Sequence, residues 1–280
     1  MKHFTVEKEW LLEQLADPKI KIADCRFNLA NPDEGRQAYD NGHIPRAVYF
    51  HLEEDLSGPV KEHGGRHPLP ELEQLKKKLE AAGITNQTTV IVYDDGAGAF
   101  ASRFWWLLTY MGHTKVYILN GGFCAWKEAG YVLTEEIPKA EQASFTINIV
   151  PNMLASYQEV KDIVSTEQSE TVLIDSRERN RFLGIEEPID KKAGHIPGAI
   201  NKFWLDGFEN GFFKCKSEQE KRFQNIDKQK PIVVYCGSGV TATPNFIALK
   251  LAGFQNVKLY AGSFSDWISY DENKINTGEN

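Results

Sequence analysis

Short apolar runs alternate along this chain with longer stretches of helical periodicity. Residues 90–93, 116–119, 172–174, 232–235 and 257–260 are dominated by Val, Ile, Leu and Tyr and read as buried strands. Residues 71–82, ending at Gly83, and 100–111, ending at Gly112, read as helices closed by glycine. Ser156 and Glu159 form a capping-box pattern that opens a helix in the second half. Strand–helix alternation of this kind implies a mostly parallel sheet covered by helices on both faces, the α/β class.

The pattern occurs twice. Ile22-Ala23-Asp24-Cys25-Arg26 answers to Leu173-Ile174-Asp175-Ser176-Arg177, and Gly42-His43-Ile44-Pro45 to Gly194-His195-Ile196-Pro197. The strand ending at Tyr93 answers to the one ending at Tyr235, and Gly121-Gly122-Phe123-Cys124-Ala125-Trp126 to Gly262-Ser263-Phe264-Ser265-Asp266-Trp267. Four landmarks in one order mean duplication, and two copies are too few for a solenoid, so each is expected to fold as a domain. The expected division is a first domain over residues 1–135, a linker over 136–152 with Pro138 and Pro151, and a second domain over 153–280.

Composition narrows the function. Hydrophobic residues make up 41% and charged residues 25% of 280, enough for each half to bury a core. The 32 basic and 39 acidic residues leave a net charge of −7 without a basic run, which argues against a nucleic-acid partner. The start lacks the apolar stretch of a signal peptide, and no apolar run spans a bilayer, so no membrane partner is expected. Cys25, Cys124, Cys215 and Cys236 are widely spaced, which suits reduced thiols in the cytoplasm and neither a disulfide framework, a metal site nor a cofactor.

Because the repeat is an internal control, differences between the copies point to chemistry. After Tyr93 the chain reads Asp94-Asp95-Gly96-Ala97-Gly98-Ala99; after Tyr235 it reads Cys236-Gly237-Ser238-Gly239-Val240-Thr241. The second copy thus places a thiol where a buried strand ends and a glycine loop turns into a helix expected over 241–251. Ligands of parallel sheets bind outside the strands' carboxyl ends, and loop amides with a helix N-terminus favour an anion, here the thiolate. Asp94 cannot be a sulfur nucleophile, and Asp95 stands where the second loop has Gly237, so the first half is expected to be catalytically silent.

The loop Cys236-Gly237-Ser238-Gly239-Val240-Thr241-Ala242, with two Gly-His-Ile-Pro elements, resembles the active-site loop of tandem-domain rhodaneses, in the version of 3-mercaptopyruvate sulfurtransferases. The resemblance runs from Asp24 to Trp267 and implies two rhodanese-like domains, each with a mostly parallel five-stranded sheet. It implies transfer of a sulfane sulfur from a small anionic donor to Cys236, then from the persulfide to a thiol, thioredoxin-like or low-molecular-weight, or to cyanide. The loop residues Gly237, Gly239, Val240 and Thr241 are expected to line the donor site.

Arg181 is expected to grip the donor anion; aligned on Asp24 and Asp175, its counterpart in the silent half is Ala30. Arg177 and His195 recur as Arg26 and His43 and are read as structural. In the resemblance Ser238 is grouped with a histidine and an acid, offered here by His67 and by Glu53 where aspartate is usual, as a proton relay. Relatives also carry a second arginine after Glu-Pro; here Glu187-Pro188-Ile189-Asp190-Lys191-Lys192 has none, with Lys191 or Lys192 as substitutes. A neutral loop slightly favours 3-mercaptopyruvate over thiosulfate. A phosphatase needs Cys-x5-Arg, and that position is Ala242. The alternatives are a thiosulfate:cyanide sulfurtransferase and a non-enzymatic persulfide carrier or redox-sensing module.

Overall fold

In the computed structural model, which describes residues 4–139 and 142–279, the first repeat forms β1 (Thr5–Val6), α1 (Lys8–Gln14), β2 (Ile20–Asp24), α2 (Asp33–Asp40), β3 (Ala47–Tyr49), α3 (Leu72–Ala81), β4 (Thr89–Tyr93), α4 (Ala99–Tyr110), β5 (Val116–Leu119) and α5 (Gly122–Glu128). The second forms β6 (Leu154–Ala155), α6 (Tyr157–Ser165), β7 (Val172–Asp175), α7 (Arg179–Leu183), β8 (Ile200–Asn201), a hairpin of β9 (Phe208–Glu209) and β10 (Phe212–Phe213), α8 (Lys216–Arg222), β11 (Ile232–Tyr235), α9 (Thr243–Leu251), β12 (Val257–Tyr260) and α10 (Ser263–Trp267). Residues 140 and 141, inside the expected linker, lie outside the described residues.

Each repeat builds one five-stranded parallel sheet, ordered β1-β5-β4-β2-β3 in the first and β6-β12-β11-β7-β8 in the second. The strands predicted from apolar runs are the inner ones. β11 is buried along its whole length and β4 beyond its first residue, as a sheet covered on both faces requires. Phe104, Trp105, Trp106 and Leu107 of α4 are buried in the core of the first repeat, with Phe104 and Phe50 packed ring to ring at 4.4 Å. The Ser156 hydroxyl accepts the Glu159 N–H at 3.1 Å and caps α6, while the Glu159 carboxylate pairs with Lys258.

The repeated landmarks make the same contacts twice. Asp24 accepts a bidentate grip from Arg26, whose Nη2 also reaches the Gly42 carbonyl at 2.9 Å; Asp175, Arg177 and Gly194 repeat the arrangement, the last contact at 2.6 Å. His43 and His195 are fully buried, stacked on Tyr39 and Phe182, with Nδ1 against a backbone carbonyl at 2.8 and 2.7 Å.

The chain does not divide at one point. One compact unit comprises residues 1–58, 69–150 and 208–213; the other comprises 59–68, 151–207 and 214–280. The segment after β3 of the first repeat therefore packs in the second unit, and the β9–β10 hairpin, after β8 of the second repeat, packs in the first.

Candidate active site

β11 ends at Tyr235, and Cys236 follows at the mouth of the sheet, 1% exposed. Its Sγ accepts the Gly239 N–H at 3.1 Å, and its own N–H is held by Ser263 Oγ at 3.1 Å. The helix expected from 241 starts at Thr243, two residues later, with Pro244 in its first turn. The intervening residues are spent on the loop: the Val240 carbonyl accepts the Thr243 hydroxyl at 2.7 Å, and Thr241 is half-buried. Gly239 has φ 77°, and a Cβ there would lie 2.2 Å from the Ala261 carbonyl oxygen, so only glycine fits.

The loop of the first repeat follows another path. Its left-handed residues are Gly96 and Gly98, whereas in the second loop only Gly239 is so; Gly237, the counterpart of Asp95, is not. The expectation that Asp95 against Gly237 makes the difference is thus corrected. The physical cause is Asp94: its Oδ1 accepts the Gly96 and Gly98 N–H groups at 3.0 and 2.9 Å, its Oδ2 those of Phe100 and Ala101 at 3.0 and 3.1 Å. Burial pushes the Asp94 carboxyl up, and the four amides pull against that shift.

Segment 59–68 brings two side chains to the Cys236 loop. The His67 Nδ1 lies 2.7 Å from Ser238 Oγ, both side chains buried. Arg66 Nη1 pairs with Asp190 Oδ1, and a Cβ on Gly237 would lie 2.8 Å from Arg66 Nη2. Burial lowers the Arg66 guanidinium from its ordinary value; Cys236 opposes the shift and Arg181 adds to it. The segment is bolted to α10 and its flank. The Gly64 N–H reaches Asp266 Oδ1 at 2.7 Å, the Arg66 N–H reaches Ser265 Oγ at 3.1 Å, and His63 stacks on Tyr270 at 3.9 Å.

Arg181 lies in α7, with its side chain 14% exposed. Its Nε and Nη2 are engaged by Glu187, and Nη2 also by Asp190 at 2.9 Å. Glu187 accepts the N–H groups of Ile189 and Asp190 as well as Arg177 Nη1, which folds residues 187–190 against α7. Lys192 pairs with Asp271 and Lys191 is exposed; beside the Cys236 loop lies the Arg66 guanidinium. Glu53 lies exposed in the first unit, its N–H bonded to His51 Nδ1.

Sequence reasoning passed over Arg66, Asp190, Ser263, Ser265 and Asp266. For the last three the signal was present, since the first repeat has Gly122, Cys124 and Ala125 at those places. Ser263 sits at φ 58° where the other copy uses Gly122 at φ 57°, a conformation unfavourable for serine that is held by its bonds to Cys236 and the Tyr260 carbonyl. Arg66 and Asp190 have no such signal, because they meet each other across 124 positions of sequence.

Known proteins resemble this chain along nearly its whole length. The rhodanese-like domain profile matches residues 7–129 and again 156–270. A probable 3-mercaptopyruvate sulfurtransferase of Pseudomonas aeruginosa is 41% identical over 275 residues, covering 96% of both chains. A putative thiosulfate sulfurtransferase, SseB, of Mycobacterium tuberculosis is 35% identical over 272 residues, covering 95% of this chain and 93% of its own. The crystal structure of the 3-mercaptopyruvate sulfurtransferase SseA from Escherichia coli superposes with a TM-score of 0.84 at 33% identity, over 94% of this chain and all of that one. Two matched domains, two sheets of one strand order and relatives aligned nearly end to end lead to one conclusion: the chain belongs to the rhodanese family, with two rhodanese-like domains.

Proposed function

We propose that Cys236 is the sulfur carrier of a sulfurtransferase whose donor is 3-mercaptopyruvate in preference to thiosulfate. The observation that carries the reading is the Cys236 sulfur at the end of the central strand, accepting a loop amide where the first repeat closes its loop on Asp94. In the first half-reaction the thiolate attacks the donor sulfur. An S–S bond forms, the donor C–S bond breaks, and its electron pair leaves on the pyruvate enolate, which then takes a proton at carbon. In the second, an acceptor thiolate or cyanide attacks the outer sulfur and restores the Cys236 thiolate. The Ser238–His67 pair is the proton relay for the enolate, supported by their 2.7 Å contact. Arg181 and the loop residues Gly237, Gly239, Val240 and Thr241 hold the donor anion, and the first domain is silent.

A location in the cytoplasm is supported by four free cysteines. No helix among the described residues is long and apolar enough to cross a membrane.

The test is mass spectrometry of the protein after incubation with each donor, with kcat/KM for both donors and one acceptor. One added sulfur atom on Cys236, absent in Cys236→Ser, is the expected result. Unaltered activity of Cys236→Ser would overturn the assignment, and a higher kcat/KM for thiosulfate would overturn the donor preference alone.

A further inference from the structure

Arg66 and Arg181 bracket Gly237: a Cβ on that glycine would lie 2.8 Å from Arg66 Nη2 and 3.5 Å from both Arg181 Nη2 and Asp190 Oδ2. Asp190 joins the two cations, one carboxylate oxygen on each. Its side chain is 1% exposed, against 32% for Arg66 and 14% for Arg181, so the carboxylate lies beneath and the guanidiniums are the more exposed groups. Its backbone is fixed as well, the Asp190 N–H donating to Glu187 Oε1 at 2.9 Å. A buried carboxylate shared in this way does two things. It holds both guanidiniums beside the cysteine loop, and together with Glu187 on Arg181 it offsets their two positive charges.

We infer that Asp190 is the positioning residue that sets donor charge specificity, holding Arg66 and Arg181 in place beside Gly237 while its own negative charge disfavours a dianionic donor more than a monocarboxylate. The inference rests on the reading of Cys236 as sulfur carrier. Arg66 is contributed by the segment that also carries His67. Thiosulfate brings one more negative charge than a monocarboxylate to the neighbourhood of Asp190 and the Cys236 thiolate, and meets the larger repulsion.

Two variants with opposite expected signs test this. Asp190→Asn keeps the shape and removes the negative charge, and is expected to raise the ratio of kcat/KM for thiosulfate to that for 3-mercaptopyruvate roughly tenfold, mainly through KM. Arg66→Gln removes a positive charge and is expected to lower the same ratio by a similar factor. General damage to the fold would depress both donors together and leave the ratio where it was. An unmoved ratio in both variants, with Cys236 still acquiring sulfur by mass, overturns the inference and leaves the sulfurtransferase reading standing. Failure of the unaltered protein to acquire sulfur from either donor overturns the function, and this inference with it.

Discussion

A hydroxyl 2.7 Å from an imidazole nitrogen, both buried, can pass a proton without waiting for solvent. That capacity matters only for a leaving group that needs a proton. The enolate from 3-mercaptopyruvate needs one, whereas sulfite leaves thiosulfate as a stable anion. Ser238→Ala is therefore expected to lower kcat with 3-mercaptopyruvate by roughly 100-fold, within the range of general acid–base catalysis. It should leave kcat with thiosulfate within a few-fold. Steady-state kinetics with both donors and a common acceptor checks this; equal losses would reassign Ser238 to holding the loop. Cys236 was legible as a residue because its counterpart is Asp94. Arg66 was not, because a guanidinium in the loop between β3 and α3 looks the same whether it meets solvent or a buried aspartate.

At the scale of elements, the two strand-end loops are alternative solutions to one problem, the exposed amides between a parallel strand and the following helix. The first repeat satisfies four of them with its own Asp94 carboxylate. It then covers the loop with the β9–β10 hairpin: Cβ atoms on Gly98 and Gly121 would lie 2.9 Å from the Phe208 ring and 2.6 Å from the Phe212 ring. The second repeat leaves an amide for the cysteine sulfur and receives segment 59–68 with Arg66 and His67. Asp94→Cys would strip the four amides of their acceptor, so it is expected to destabilise the protein by about 4 kcal/mol or more, from buried donors costing about 1–3 kcal/mol each. No persulfide should form on the new thiol when Cys236 is blocked by mutation. Chemical denaturation and peptide mass spectrometry read the two parts separately, and turnover at the new thiol would refute the silence of the first domain.

Across the whole molecule, each repeat lends a segment to the unit built by the other, and the unit that holds Cys236 includes residues 59–68. Segment 59–68 enters it through Gly65, at φ 81°, where a Cβ would lie 2.3 Å from the Gly262 carbonyl oxygen. Gly65→Ala is expected to push the segment off α10 and move Arg66 and His67 together. Misplacement on the ångström scale costs on the order of 100-fold in rate, so kcat/KM should fall by about that factor. The two sheets have complete cores without Gly65, so the thermal transition should shift little. Kinetics beside a thermal melt distinguish this outcome from unfolding, and full activity would show that the segment is dispensable.

The sequence alone determined what is local or repeated. Apolar runs marked the inner strands, because a strand covered on both faces must be apolar throughout, and glycine marked the helix ends, because it takes left-handed backbone without a clash. The internal copy separated the Asp–Arg and histidine landmarks from the cysteine, because a structural demand recurs in both halves and chemistry need not. Tertiary structure decided the rest. Short β1, β3, β6 and β8, two to three residues each, carry too little periodicity to stand out. The exchange of residues 59–68 and 208–213 left no mark either, and with it went the placement of Arg66 against Asp190, 124 positions apart, and of His67 against Ser238, 171 apart. Hydrophobic pattern records whether a side chain is buried; which distant charge it is buried against is settled only when the chain closes on itself.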